Sequence, residues 1–318
     1  MEAEDLAQVT DSLRRAVKDN DVDAVRRAVA EFGWHELLQE EAEVAVATLF
    51  SLQGEHLSPM SFLDHVLLAA SELDLEDGMR VLLPHAGSLA PTSTIDEQIH
   101  LDGVVQVGPG DGLLVPCQQD GKIMLVKCRI AAQPDSAGTL DPGSGWVAFR
   151  QVAQPDDILL QGADAEQAWQ RMSAAGRRAL AHELVAIGGE MLRLTVDHVM
   201  TREQFGHKLA SFQAVKHKLA DVRLWQEVAT LSAAAAWEDR GAESAALSKA
   251  AACRFSRTSR EQCQQLLGGM GFTWEHSFHT YLRRALTLEP LLGGANVQHL
   301  RLGQGLREGL VPRDLAGL

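Results

Sequence analysis

The sequence predicts a mainly helical protein with a small β domain in its middle, on three observations. From Leu6 to about Leu75 apolar residues recur at helical spacing, as in Leu6, Val9, Leu13 and Val17. Between Gly78 and about Pro155 the pattern changes to short apolar runs broken by Asp-Gly pairs. After Asp164 the helical period returns and holds, with Leu180, Leu184, Ile187, Met191 and Leu194 in spacings of four and three.

In the first region Thr10, Asp21 and Ser58 are the expected helix caps, and Gly33-Trp34 and Ser58-Pro59 punctuate the pattern. In the second, Met79–Leu83, Val104–Val107, Gly112–Val115, Ile123–Val126 and Trp146–Phe149 read as strands. Asp102-Gly103, Asp111-Gly112 and Asp120-Gly121 tolerate the positive φ of tight hairpins, which predicts a small antiparallel barrel or sandwich. A tight turn at Asp120-Gly121 pairs Cys117 with Met124, which disfavours a disulfide from Cys117 to Cys128. In the third, Leu209, Phe212, Val215, Leu219, Val222 and Trp225 form another narrow stripe. Breaks at Gly206, Gly241, Gly268-Gly269 and Gly293-Gly294 separate four or five helices suited to an antiparallel bundle. The domains expected are 1–77 (helical), 78–157 (β) and 158–318 (helical bundle).

The 318 residues suffice for two domains at roughly 150 residues each. With 29 Lys plus Arg against 43 Asp plus Glu, the net charge of -14 repels a polyanion and argues against nucleic acid as partner. No stretch approaches the about 18 consecutive apolar residues that insert into a membrane, and the acidic start Met1-Glu2-Ala3-Glu4-Asp5 is no signal peptide. A cytoplasmic protein is expected. Cys117, Cys128, Cys253 and Cys263 have neither zinc-site spacing nor disulfide-scaffold density, so reduced thiols are the default.

The run Thr201-Arg202-Glu203-Gln204-Phe205-Gly206-His207-Lys208-Leu209-Ala210-Ser211-Phe212-Gln213 resembles the acyl-CoA dehydrogenase signature R-x-Q-F-G-x-x-L-x-x-F-Q. Lys218-Leu219-Ala220-Asp221-Val222 is similar to that family's K-L-A-D-M. About 50 residues on, Gln265-Leu266-Leu267-Gly268-Gly269-Met270-Gly271-Phe272 resembles Q-x-x-G-G-x-G-F. The likeness is close from Asp164 onward and loose before it, where the N-terminal region is shorter than the family's. It implies an acyl-CoA dehydrogenase-like fold of N-terminal helices, middle antiparallel β domain and C-terminal bundle.

The resemblance also implies FAD as cofactor. Arg202, a planar cation with several donors, is the counterpart of an arginine that grips the FAD pyrophosphate of the neighbouring subunit. Gln204, Phe205 and Gln213 extend that surface, and Gln265, Gly268 and Gly269 meet the adenine-ribose half. Each has a plainer reading: Arg202 balancing Glu203, Phe205 packed as a helix staple, the glycines acting as helix caps. His276 and His279 beside Glu275 lack a third metal ligand nearby, and Arg254, Arg257 and Arg260 read as a solvated charged face.

What the resemblance leaves unmatched is equally specific. Dehydrogenation at the α and β carbons of a thioester needs a carboxylate to take the α proton while the flavin accepts a hydride. The family's Y-E-G-T glutamate aligns with Leu292 in Leu291-Leu292-Gly293-Gly294. The alternative position, 26 residues before the arginine, aligns with Gly176. The flavin-ring motifs T-E-P-x-x-G-S-D and W-I-T-N are replaced by Leu83-Pro84-His85-Ala86-Gly87-Ser88 and Val107-Gly108-Pro109-Gly110. The chain therefore resembles the short non-catalytic subunit of the heterotetrameric acyl-CoA dehydrogenases of actinobacterial steroid side-chain degradation. That implies a longer catalytic partner, two of each per assembly, a shared FAD, an acyl-CoA substrate and an electron-accepting flavoprotein. The alternatives are an autonomous enzyme using Glu289 as base, or a flavin-free scaffold.

Overall fold

The computed structural model describes residues 10–309 apart from 12, 16, 19–21, 32, 77 and 109, so the expected cap Asp21 lies outside the described residues. Helices α1 (Val22–Glu31), α2 (Trp34–Glu40), α3 (Ala42–His56) and α4 (Leu63–Ser71) follow the predicted period. They bury Val25, Val29, Trp34, Leu49, Phe50, Leu63 and Leu67. Each such side chain contributes about 1.5–3 kcal/mol relative to exposure. Ser58 is not a helix cap: its hydroxyl donates to the Met60 carbonyl at 2.8 Å, and the residue at the cap of α4 is Phe62, whose N–H donates to Gln53 Oε1 at 3.0 Å.

Seven strands follow: β1 (Arg80–Val81), β2 (Ser93–Ile95), β3 (Ile99–Gln106), β4 (Gly112–Gln119), β5 (Lys122–Arg129), β6 (Trp146–Ala153) and β7 (Pro155–Gln161). The sheet runs β6-β3-β2-β4-β5-β7, with β1 off this path against β4. It is mixed rather than purely antiparallel, because β1 and β2 both lie parallel to β4. Asp120-Gly121 forms the expected turn with φ of 49° and 76°, and Cys117 pairs with Met124. All four cysteines are free and buried.

Asp102-Gly103 is not a turn. Both residues sit inside β3, and a Cβ on Gly103 would collide with the Leu83 carbonyl oxygen, so this glycine serves close backbone approach. Asp111-Gly112 is no hairpin either, since Gly112 opens β4 and β4 pairs with β5, not β3. Side chains alternate along the strands: Leu113, Val115, Cys117, Val126 and Cys128 fill a core of their own. Leu114 and Leu125 turn to the helices.

The bundle comprises α5 (Ala163–Thr201), α6 (Gln213–Ala235), α7 (Ala242–Leu267), α8 (Phe278–Leu288) and α9 (Ala295–Glu308). Leu180, Leu184, Ile187 and Met191 are fully buried, as their spacing predicts. Close crossings rest on glycines: a Cβ on Gly188 would lie 2.5 Å from the Phe255 ring, and one on Gly54 2.5 Å from the Glu183 carbonyl. Val215 and Val222 are covered within the chain. The exposed stripe of α6 is instead Leu224, Val228 and Leu231.

Candidate functional site

Helices α5, α6 and α7 alternate in direction, so the end of α5, the start of α6 and the end of α7 share one end of the bundle. All seven residues singled out in the sequence lie there. Arg202 ends α5; its N–H donates to the His198 carbonyl, and its own carbonyl accepts from Leu209 N, closing a short hairpin. In that hairpin Glu203 pairs with Lys208 and Gln204 with His207, while Phe205 and Gly206 take φ of 55° and 75°. The Arg202 guanidinium is exposed and has no hydrogen-bond or ion-pair partner among the described residues.

Phe205 is 90% exposed, edge-on to Phe212 at 6.4 Å between ring centroids, and so is neither core nor staple. A phenylalanine held in solvent in the left-handed region carries strain of about 1 kcal/mol or more that packing does not offset. Gln213 begins α6 and is exposed. Gln265, on the last turn of α7, accepts from Lys218 Nζ at 2.8 Å, which leaves its amide N–H groups outward. Gly268, with φ 57° and ψ -133°, needs to be glycine for its backbone. Gly269 does not: its φ is not positive, and a Cβ there would meet nothing within 4 Å. Bare peptide, an unpaired arginine and an outward ring suit the phosphate and planar surfaces of a dinucleotide, so these residues fit FAD.

The catalytic half is built differently. Gly176 and Leu292, the two positions aligned with the family's base, meet: a Cβ on Gly176 would lie 2.5 Å from Leu292 Cδ1 and 2.9 Å from Leu67 Cδ2. The space between them is leucine. Leu292 is 2% exposed with φ 54°, and its carbonyl accepts from Arg177 Nε at 3.1 Å and Gln298 Nε2 at 2.7 Å. The loop that replaces the flavin-ring motif touches this segment directly. Gly87 N donates to the Pro290 carbonyl at 2.8 Å, and Leu89 packs against Gly293.

Glu289 is engaged elsewhere, its carboxylate held by Arg260 at 2.8, 3.1 and 3.2 Å, with each side chain only 17% exposed. Arg254 lies over Trp225 and Arg257 pairs with Glu261, so that arginine row is taken up within the chain. His276 accepts the Phe278 N–H.

Sequence reasoning missed two buried acids. Burial pushes Glu183 up to about 7, with Arg284 opposing and Asp141 adding. Burial also pushes Asp64 up to about 7, against the Val81 N–H and Arg80. Neither carries a sequence signal, because each is marked only by what folds over it.

The family described as acyl-CoA dehydrogenase, C-terminal domain, matches residues 167–306. The C-terminal bundle is thus that of the acyl-CoA dehydrogenase family. Acyl-CoA dehydrogenase IpdE2 of Mycobacterium tuberculosis is 33% identical over 159 residues, 49% of this chain and 46% of that protein. The chain spans under half the length of the curated relatives it matches first. Among solved structures, the ChsE4-ChsE5 complex of M. tuberculosis superposes with a TM-score of 0.73 at 21% identity, covering 98% of this chain and 99% of that one. A variant of the Tcur3481-Tcur3483 steroid ACAD gives 0.69 at 22%, covering 96% and 99%. These superpositions carry the fold: an acyl-CoA dehydrogenase fold of helices, β domain and bundle.

Proposed function

We propose that this chain is the non-catalytic subunit of an FAD-dependent acyl-CoA dehydrogenase, an oxidoreductase acting on CH-CH bonds. Arg202, Gln204, Phe205, Gln213, Gln265, Gly268 and Gly269 contact an FAD seated on a longer catalytic subunit. The observation that carries this is the hydrogen bond from Gly87 to the Pro290 carbonyl. An acyl chain and a flavin ring must lie between the ring seat and the base, and here those two segments are in contact. FAD supplies the hydride acceptor when bound. This chain's part is to hold its phosphates and adenosine end and to keep water from that end.

Distance supports sharing between chains. Gly176 and Arg202 are 26 residues apart on one helix, about 39 Å at 1.5 Å per residue. One dinucleotide does not bridge that span within a single chain. The Arg260 pair argues against Glu289 as an alternative base, and the unpartnered Arg202 argues against a flavin-free scaffold.

The assembly we infer holds two of each subunit and two FAD, acts on an acyl-CoA and passes electrons to a flavoprotein. A steroid side-chain thioester is supported by the likeness to a steroid ACAD. A cytoplasmic setting accords with the absence, among the described residues, of any helix long and apolar enough to cross a membrane. The test is to produce the chain alone and with a longer relative that retains the glutamate, then measure flavin absorbance and mass together. The expected result is a colourless chain alone and a yellow two-plus-two complex. One FAD tightly held per chain in a homo-oligomer overturns the proposal.

A further inference from the structure

Beside the Arg202 end of the bundle lies a second cluster that the cofactor reading does not use. The segment after Gly271 carries Phe272 and Trp274, 74% and 77% exposed, with Met270 at 41%. Under the Trp274 ring sit two side chains of α8. The His279 ring meets it edge-on with centroids 4.6 Å apart, and the Arg283 guanidinium lies 5.0 Å from its centroid. Both His279 ring nitrogens and Arg283 Nε are buried, and none has a hydrogen-bond partner.

Three unpaired polar atoms in one place are unusual, since native proteins satisfy the great majority of such groups. Among the described residues no acid faces them: burial, then Arg283, then His276 all push the His279 ring below its ordinary range, with no carboxylate acting the other way. The field continues towards the hairpin, where burial, His276 and Arg202 lower His198. The cluster is thus an arginine and a histidine packed under a solvent-facing indole, rimmed by exposed apolar side chains. Tryptophan and arginine of this kind anchor protein interfaces, where buried centres exclude water around a charge pair.

We propose that Trp274, His279 and Arg283 form a socket for an acidic side chain of the subunit docked at this end of the bundle. The occupant is a protein carboxylate. Arg283 is complementary to it in charge, a carboxylate can accept from its guanidinium and from the neutral His279 ring N–H, and the flanking Phe272 and Met270 need cover that only a protein surface supplies. The socket is continuous with the Arg202 face, so one docking event covers both. This inference rests on the proposed function only for the identity of the docked subunit.

Two measurements test it. In the first, the chain alone is titrated with sodium acetate against sodium chloride at constant ionic strength while the histidine ring resonances are followed. A saturable shift of His279 is expected in the parent and none in Arg283→Gln, with melting temperatures compared to confirm that the variant folds. In the second, affinity for the longer subunit is measured. Arg283→Gln should weaken assembly about tenfold or more, Arg283→Lys less, and His279→Gln should weaken it as well. An acetate shift that persists in Arg283→Gln, or an assembly affinity within about twofold of the parent, overturns the socket. If the parent forms no complex at all, the proposed function fails, and the acetate arm still decides the socket.

Discussion

Helix α5 carries two regions that have diverged in opposite directions. Around Gly176 the contacts are made within the chain: leucine against glycine, Arg177 and Gln298 on the Leu292 carbonyl, Gly87 on Pro290. Around Arg202 almost nothing is matched, with an unpaired guanidinium, a ring in solvent and a strained turn. Packing explains most of the first region and little of the second. A buried site that loses its ligand is filled by side chains, because voids and unpaired groups are destabilising. On the proposed function, the surface that stays bare is retained for a contact outside the chain.

If the first region is filled as described, a carboxylate there should be intolerable. Gly176→Glu forces side-chain atoms into Leu292 and Leu67 and buries an unpaired acid. A loss of about 4 kcal/mol or more in urea unfolding is expected. A variant as stable as the parent, or one that gains dehydrogenase activity, would mean the space is open. Next in size is Arg284→Met. It removes the partner of Asp141, which Arg284 Nε meets at 2.6 Å, and the donor to the Ser58 carbonyl. Leaving that acid unpaired should lose roughly 3 kcal/mol. Equal denaturation midpoints would show that water reaches Asp141.

Much of the bundle was legible because its signals are local. Leu180 to Met191 repeat at helical spacing, and the arginine and double-glycine motifs each sit on one element. The β region was less so. Gly103 reads as a turn residue but serves the close approach of Leu83, and β7 begins Pro155-Asp156-Asp157, which reads as a loop. Alignment named Gly176 and Leu292 separately, yet their contact exists only in the fold. The socket was invisible for the same reason, since an unpaired histidine is defined by neighbours that never arrive.

The buried acids sharpen the comparison by pH. Glu183 rises from an ordinary 4.5 to about 7, and its Oε2 has no partner. The folded chain therefore holds a proton that the unfolded chain releases between those values. Stability from the neutral form is present below about 4.5 and lost as pH rises through about 7. Glu183→Gln should remove its share, about 3 kcal/mol, of the decline between these limits and stabilise the chain at pH 8. A parallel decline in both proteins would mean that Glu183 is ionised in the folded state. Asp64, raised in the same direction, leaves a residual slope in either case.

The smallest effect on folding should come from the residue that matters most to the proposed assembly. Arg202 is exposed, without a partner among the described residues, and ends a helix whose last hydrogen bond uses its backbone alone. Arg202→Ala should leave stability within about 0.5 kcal/mol of the parent. In the complex the same change removes charge-assisted bonds to the pyrophosphate worth about 1.5–3 kcal/mol, a ten- to hundredfold weaker hold on flavin. Flavin absorbance after gel filtration at limiting FAD separates the two readings. Parent-like occupancy would return Arg202 to an ordinary solvated charge and leave the open end of the bundle unexplained. Depleted flavin in an intact assembly would tie the bare surface to the cofactor, since no hydrogen bond or ion pair among the described residues depends on this side chain.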